Sequence, residues 1–203
     1  MSVVALACGN QPPDSLTQSS RLRFHQLPNR PGKADVDELL PPNGRLIVYG
    51  RDSDLAAVVL RLLRREALHL EIGYLPAERD SAIAKLHGAS TVDGEARPVP
   101  LARDDVGGVL VGQGVIEPVT GSAYCDSEHV LHGPAKRIVV SPHAESGLEV
   151  TVVRGALRRK THHSRAFQLA CEETQVSLDG VRHPRPMTGW TWYRHTTDLL
   201  LVR

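Results

Sequence analysis

Residues 45–75 constrain the fold more than any other part of the chain. Residues 45–49 (RLIVY) contain an apolar run after Arg45 and are followed by Gly50, which predicts a buried strand. A helix and a second strand, residues 68–75, are predicted next. Strand, helix and strand at this spacing form a βαβ unit of a parallel sheet. The apolar positions that recur at helical spacing are Leu55, Val58, Val59, Leu62 and Leu63.

The flanking segments extend this unit into an α/β lobe. Short apolar runs predict strands at residues 3–8 and 21–27, and residues 34–40 predict a short helix. A further helix is expected over residues 80–87, closed by Gly88. The sequence therefore predicts an α/β lobe over residues 1–90.

The pattern changes after Gly88. Residues 91–203 contain short β-branched runs between turn signals, such as 137–140 and 148–153, and almost no helix is expected beyond residue 95. Short β-branched runs separated by turn residues are typical of antiparallel β structure. A second, all-β lobe is predicted over residues 91–203.

Composition excludes several function classes. Lys and Arg total 24 against 23 Asp and Glu, and aromatic residues make up 4% of the chain. We therefore expect no nucleic-acid partner, because proteins that bind nucleic acids usually have a clear excess of basic residues. No apolar run reaches the roughly 18 residues of a membrane span. The three scattered cysteines fit reduced thiols, so a cytoplasmic protein is expected.

The junction after the first strand of the βαβ unit is the leading candidate site. It reads Gly50-Arg51-Asp52-Ser53-Asp54. Ligands of open α/β sheets bind at the carboxyl ends of strands, where helix N-termini offer free N–H groups. The competing interpretation is a turn in which Asp52 or Ser53 caps the helix.

Two segments of the α/β lobe resemble motifs of the diacylglycerol kinase and NAD kinase superfamily. The junction resembles GGDGT, with Gly50 and Asp52 at matching positions. Residues 73–88 resemble the motif GIIPxGTGNDFARxLG of bacterial lipid kinases. The matches in that second segment are Gly73, Pro76, Ala84 and Gly88, with Lys85 for the arginine.

Two later segments follow in the family's order. Residues 144–150 resemble a DGxLD segment through Gly147, Leu148 and Glu149, and residues 176–180 resemble a DGE turn. The resemblance implies a diacylglycerol kinase-like two-lobe fold. It also implies transfer of phosphate from ATP, with Mg²⁺, to a lipid or small-molecule hydroxyl.

The resemblance implies roles for individual residues. Asp52 would lie near the Mg²⁺-nucleotide, and Glu149 or Glu145 would act as a base or metal contact. The remaining positions of the two loops would contact the nucleotide. These positions are Gly50, Arg51, Ser53, Asp54, Glu78, Arg79 and Ser81.

The departures from the motifs point away from catalysis. Arg51 and Ser53 stand where glycines let backbone approach phosphates, and Glu78 and Asp80 add negative charge to the second loop. The segment from Gly88 to Gly147 is also shorter than in lipid kinases. We expect weak or no ATP binding and a divergent protein without kinase activity. The alternative is a non-catalytic ligand-binding or homodimeric scaffold that keeps the fold.

Three other features have simpler interpretations. Residues 125–132 and the pair His162-His163 contain residue types that can bind metals. Their spacing matches no recognised metal-binding motif, so no metal site is expected. The basic run 154–160 is a solvated loop or a contact for a phosphate or an anionic membrane surface. Trp190 and Trp192 share one strand face, which is core or a partner surface.

Overall fold

The computed structural model describes residues 2–20, 22–88, 92–156 and 158–203, with only the backbone described at residues 19 and 20. The chain forms two compact units, Met1–Val99 with Thr197–Arg203, and Pro100–Thr196. The predicted lobe boundary between residues 90 and 91 lies outside the described residues. The chain leaves the first unit later than predicted and returns to it at the C-terminus.

The first unit contains a six-stranded sheet. Its strands are β1 (Val3–Cys8), β2 (Phe24–Leu27), β3 (Arg45–Gly50), β4 (Glu71–Pro76), β5 (Ala96–Val99) and the C-terminal β17 (Leu199–Val202). Their order is β2-β1-β3-β4-β17-β5, and all neighbours are parallel except β17 and β5. The predicted parallel sheet is therefore confirmed.

In the described part of the first unit, four α-helices accompany this sheet. They are α1 (Asp14–Ser20), α2 (Lys33–Val36), which continues into a 3-10 turn (Asp37–Leu39), α3 (Asp52–Arg64) and α4 (Ala82–His87). The α3 residues Leu55, Val58, Val59 and Leu62 are fully buried, as their spacing predicts. Each buried aliphatic side chain of this size contributes about 1.5–3 kcal/mol. No helix in the described ranges is long and apolar enough to cross a membrane.

The second unit contains an 11-stranded sheet in which all pairings are antiparallel. The described residues after α4 contain no helix, as predicted. The strands are β6 (Ala102–Asp104), β7 (Val109–Leu110), β8 (Gly114–Glu117), β9 (Val119–Cys125), β10 (Glu128–Ala135), β11 (Arg137–His143), β12 (Gly147–Val153), β13 (Arg159–Ser164), β14 (Ala166–Leu178), β15 (Val181–Arg182) and β16 (Met187–Arg194). Their main order is β13-β12-β11-β8-β14-β16-β6-β7, with β9, β10 and β15 attached outside this path.

The two tryptophans belong to the core of this sheet. Trp190 and Trp192 are buried on one face of β16, and their ring centroids lie 5.8 Å apart. Phe167 stacks on Trp192 at 5.9 Å. The core interpretation is therefore confirmed, and buried rings cannot form the partner surface that the alternative required.

The last strand, β17, differs from its expected place. Residues 199–202 were expected in the all-β lobe, but β17 pairs with β4 and β5 in the first unit. Leu199, Leu201 and Val202 are all buried there. A strand buried on both faces suits a parallel sheet, and its continuous apolar sequence does not reveal which sheet it joins.

Candidate functional site

Strands β3 and β4 bring the two candidate loops together. The strands are adjacent and parallel, and Gly50 lies opposite Pro76 at their carboxyl ends. The loops that follow therefore leave the same edge of the sheet, where ligands of α/β folds usually bind. The predicted nucleotide contacts and Asp52 all lie at the end of β3, on the two loops or at the helix starts that follow them.

The Asp52 carboxylate accepts four hydrogen bonds. The Tyr74 hydroxyl donates to Oδ1 at 2.8 Å, and Ser81 Oγ donates to the same atom at 2.5 Å. The backbone N–H groups of Ala82 and Ile83 donate to Oδ2 at 2.7 and 3.3 Å. Asp52 therefore caps α4, a helix that starts 30 residues further along the chain.

The N-terminus of α4 is consequently occupied by groups of the chain itself. Asp52 takes the N–H groups of Ala82 and Ile83, and Ser81 Oγ accepts from Ala84 N at 3.0 Å. In phosphate-binding folds, such N–H groups at a helix start bind the anion. Here an internal carboxylate, that of Asp52, accepts these N–H groups.

A buried carboxylate also lies at the N-terminus of α3, although it accepts other N–H groups. Arg51 is its N-cap, in place of the predicted Asp52 or Ser53. Asp54, which is fully buried, accepts the backbone N–H groups of Arg51 at 2.8 Å and Arg30 at 2.7 Å. Arg51 is the N-cap because its backbone N–H donates to the carboxylate of Asp54, three residues further along the chain.

Close packing beneath the junction explains Gly50. A Cβ atom at this position would lie 2.9 Å from Asp54 Oδ2 and 3.2 Å from the Cβ of Cys8. Burial, and then the charge of Asp54, raises the pKa of the Cys8 thiol to about 12. Cys8 therefore stays protonated and cannot act as a nucleophile near neutral pH.

The charged side chains of the two loops pair with each other. Arg51 Nε lies 2.9 Å from Glu78 Oε1, and both side chains are more than half exposed. Asp80 pairs with Lys85, which lowers the pKa of the Asp80 carboxyl. Arg79 is exposed. A cation that would attract phosphate is thus neutralised by a carboxylate of the chain.

Tyr74 is a site residue that the sequence did not indicate. It is almost fully buried, and besides Asp52 its hydroxyl contacts the Gly50 carbonyl at 3.2 Å. Burial, and then the negative charge of Asp52, raises the pKa of the Tyr74 phenol, which keeps it a donor. The sequence did place Tyr74 near the end of the second strand of the βαβ unit, and this position could have indicated that it lies close to the candidate junction.

The other two predicted catalytic residues lie in the second unit. Glu145 is exposed in the turn between β11 and β12, and Glu149 lies on β12 opposite His163. The DGE-like turn is the two-residue hairpin loop Asp179–Gly180 between β14 and β15. The Asp179 carboxylate accepts three backbone N–H groups at 2.8–3.0 Å, from Val111, Gly112 and Gln113.

The basic run forms one wall of a cavity in the second unit. The cavity has a volume of about 500 Å³ and lies beside the loop between β12 and β13. Residue 157 of this run lies outside the described residues. The lining residues are His129, Val130, Val152, Arg154, Arg158, Arg159 and Lys160.

The potential metal ligands in residues 125–132 contact other groups of the chain. His129 stacks on Tyr124 at 4.6 Å and contacts Ser122 Oγ at 2.8 Å. His132 meets only the edge of the His129 ring, at 5.9 Å, and Cys125 is buried in the core. These side chains therefore have partners other than a shared ion.

Comparison with solved structures identifies the fold. A provisionally assigned diacylglycerol kinase from Bacillus anthracis str. Sterne matches with a TM-score of 0.69 and 11% identity, covering 98% of this chain and 96% of that one. An NAD kinase from Archaeoglobus fulgidus in complex with ATP matches with a TM-score of 0.62 and 10% identity, covering 100% and 94%. A yeast NADH kinase complexed with NADH gives 0.52 and 10%, covering 98% and 83%.

The likeness lies in the structure and not in detectable sequence similarity. No protein-family model and no curated protein matches the sequence. The structural matches nevertheless show the fold that the motif resemblance implied. The chain therefore has the two-lobe fold of the diacylglycerol kinase and NAD kinase superfamily.

Proposed function

We propose that this chain is a divergent member of the lipid-kinase fold that does not transfer phosphate. The observation that carries the proposal is the saturation of Asp52 by four donors. A carboxylate that caps a helix in this way has few lone pairs left for a metal-bound nucleotide. The residue that best keeps the family's position and chemistry thus serves as a structural cap.

The surrounding charges support the same conclusion. A nucleotide phosphate at this edge of the sheet would have to displace Glu78 from Arg51 and approach Asp80. It would also have to replace Asp52 at the start of α4. Each exchange removes an interaction within the chain, so the net gain from phosphate binding is small.

Calorimetry with ATP tests the proposal. ATP is the appropriate probe because the similar NAD kinase was solved with it. We expect no low-micromolar dissociation constant with or without Mg²⁺, and no lipid-dependent ATP consumption by the parent chain. ATP consumption that is lost in Asp52→Asn, without a large change in melting temperature, would overturn the proposal and establish a kinase.

A second candidate function rests on the basic cavity. Arg154, Arg158 and Arg159 line it together with Lys160. Lys160 Nζ lies 3.7 Å from Glu128 Oε1, and no ion pair engages Arg158 or Arg159 in the described residues. Four cationic side chains around one cavity favour an anionic ligand, such as a phosphate headgroup. This function would make the chain a non-catalytic ligand-binding protein.

Vesicle binding tests this second candidate. We expect the chain to cosediment with vesicles containing an anionic phospholipid and not with neutral vesicles, with binding reduced by Arg158→Glu and Arg159→Glu. Arg185→Glu is the matched control, because Arg185 is exposed outside the cavity. Equal loss in all three variants would indicate only nonspecific attraction. Competition by inorganic phosphate would separate headgroup recognition from membrane attraction.

A further inference from the structure

Three metal-ligating side chains lie on one face of the sheet formed by β11, β12 and β13. His143 pairs with Gly147, and Glu149 pairs with His163. Residues paired across strands share a face, as do residues two apart along a strand. His143, Glu149 and His163 therefore project from the same face. Within the described residues, they are the one group of three or more His, Cys, Asp or Glu with ligand atoms within 4.8 Å of one another.

This face is open to solvent. Leu148 and Val150, which alternate with Glu149 along β12, are fully buried on the opposite face. His163 is exposed, and His143 is partly exposed. An ion could reach the three side chains without opening the core.

Ser146 orients the two imidazole rings. Its Oγ atom lies 2.9 Å from Nδ1 of His143 and 3.3 Å from Nδ1 of His163, and it donates to the Leu148 carbonyl at 3.0 Å. The rings stand 4.8 Å apart at 60°. The Ser146 backbone N–H also lies 3.3 Å from Nδ1 of His143. In metal-binding histidines the second ring nitrogen usually donates its N–H to a neighbouring polar group, and Ser146 Oγ can accept from both rings.

The outer atoms of the group are available. In the ranges that the structure describes, no hydrogen bond engages Nε2 of His143 or His163, and none engages the Glu149 carboxylate. The turn that carries Ser146 is held by Arg194, whose Nη1 donates to the Ala144 carbonyl at 3.0 Å. The ligands thus stand on a supported turn and two paired strands.

We propose that His143, Glu149 and His163 bind a transition-metal ion of the Zn²⁺ type. Two imidazole nitrogens and one carboxylate oxygen form a three-ligand zinc set that leaves a fourth position open. In a tetrahedral site with bonds of about 2.0–2.1 Å, ligand atoms lie about 3.4 Å apart. The ligand atoms already lie within 4.8 Å of one another, so binding of the ion requires the side chains to turn inward by about 1 Å.

The chemistry separates this site from any kinase function. Mg²⁺, the ion that phosphoryl transfer would use, prefers oxygen ligands in octahedral geometry. A site with two imidazoles therefore selects Zn²⁺ or Co²⁺ over Mg²⁺. The inference does not depend on the proposed function. It also departs from the expectation, drawn from the sequence, that the chain has no metal site.

Titration of the metal-free chain with ZnCl₂ and CoCl₂ tests the proposal. After chelator treatment, we expect one Zn²⁺ per chain by calorimetry, a higher melting temperature and no response to MgCl₂. Co²⁺ should give the visible absorption of a low-coordinate N/O site. We expect His143→Ala and His163→Ala to weaken Zn²⁺ binding by about 100-fold and Glu149→Gln by about 10-fold.

The control is the double variant His129→Ala/His132→Ala, which removes the other close histidine pair. It should bind Zn²⁺ as the parent does. The proposal is overturned if the folded parent binds no Zn²⁺, if binding survives the loss of His143 and His163, or if the control loses it. Circular dichroism of each variant distinguishes loss of a ligand from loss of the fold.

Discussion

The Tyr74 hydroxyl and the Asp52 carboxylate form a hydrogen bond of 2.8 Å that links the end of β4 to the start of α3. Strands β3 and β4 are adjacent and parallel, and this hydrogen bond connects the end of β4 to the helix that follows β3. Asp52 also accepts from Ser81, Ala82 and Ile83. The Asp52 carboxylate therefore joins three elements of the fold, β4, α3 and α4.

Substitutions at Asp52 should separate its charge from its hydrogen bonds. In Asp52→Asn, the amide oxygen can still accept from Ala82 and Ile83, while the hydroxyls of Tyr74 and Ser81 can turn to accept from the amide NH₂. We expect a loss of about 1 kcal/mol in the free energy of unfolding. Asp52→Ala leaves all four donors without this acceptor, and we expect a loss of about 3 kcal/mol.

Urea denaturation of both variants provides the measurement. Tyr74→Phe is the matched control, because it removes one donor and should cost about 1 kcal/mol. Equal stability of Asp52→Ala and the parent would show that the cap contributes nothing and would free Asp52 for another role.

The ion pair between Asp37 and Arg61 should make stability depend on pH. Arg61 Nε and Nη2 donate to the two Asp37 carboxylate oxygens at 2.8 Å, which lowers the pKa of Asp37. A carboxylate with a lowered pKa adds stability above its ordinary pKa and loses it as the pH falls through the lowered value. We therefore expect Asp37→Asn to be less stable than the parent at pH 7, with the difference shrinking below about pH 4.

Chemical denaturation at pH 7 and pH 3 checks this prediction. Glu38→Gln is the control, since Glu38 is the exposed neighbour of Asp37 and should change stability by less than about 0.5 kcal/mol. A difference between Asp37→Asn and the parent that grows toward pH 3 would contradict the assigned sign.

The sequence predicted the fold better than the site. Leu55, Val58 and Leu62 recur at helical spacing and are buried, so the helix of the βαβ unit could be predicted from the sequence alone. The place of β17 depends on pairing with β4, which is remote in sequence. The helix α1 has little apolar periodicity and was not predicted.

The site was harder to predict because its contacts join distant segments. Asp52 was recognised, but its role as the cap of α4 depends on the register that sets Gly50 opposite Pro76. His143 and His163 meet only because β11, β12 and β13 pair in one register. Local spacing drew attention to His129 and His132 and could not reveal this other group.

Gly114 should tolerate no side chain. A Cβ atom there would lie 2.5 Å from Cζ2 of the fully buried Trp192. We expect Gly114→Ala to destabilise the chain by about 1–3 kcal/mol, because an indole packed in the core cannot move aside without strain. Gly155→Ala is the control, since a Cβ atom at Gly155 meets nothing within 4 Å. Similar melting temperatures for the two variants would contradict the prediction.

Asp179 should stabilise the second unit through its carboxylate and its backbone. It is buried, has a φ of 46°, and accepts N–H bonds from Val111, Gly112 and Gln113. Asp179→Asn keeps a residue that adopts positive φ but loses one acceptor oxygen, so we expect a loss of about 1–2 kcal/mol. Asp179→Gly keeps the turn but removes every side-chain acceptor, and we expect a loss of about 3 kcal/mol or more. Hydrogen exchange of the backbone amides provides the decisive measurement. The amides of residues 111–113 should lose protection in Asp179→Gly and partly keep it in Asp179→Asn. Unchanged protection in both variants would show that the carboxylate does not hold this loop.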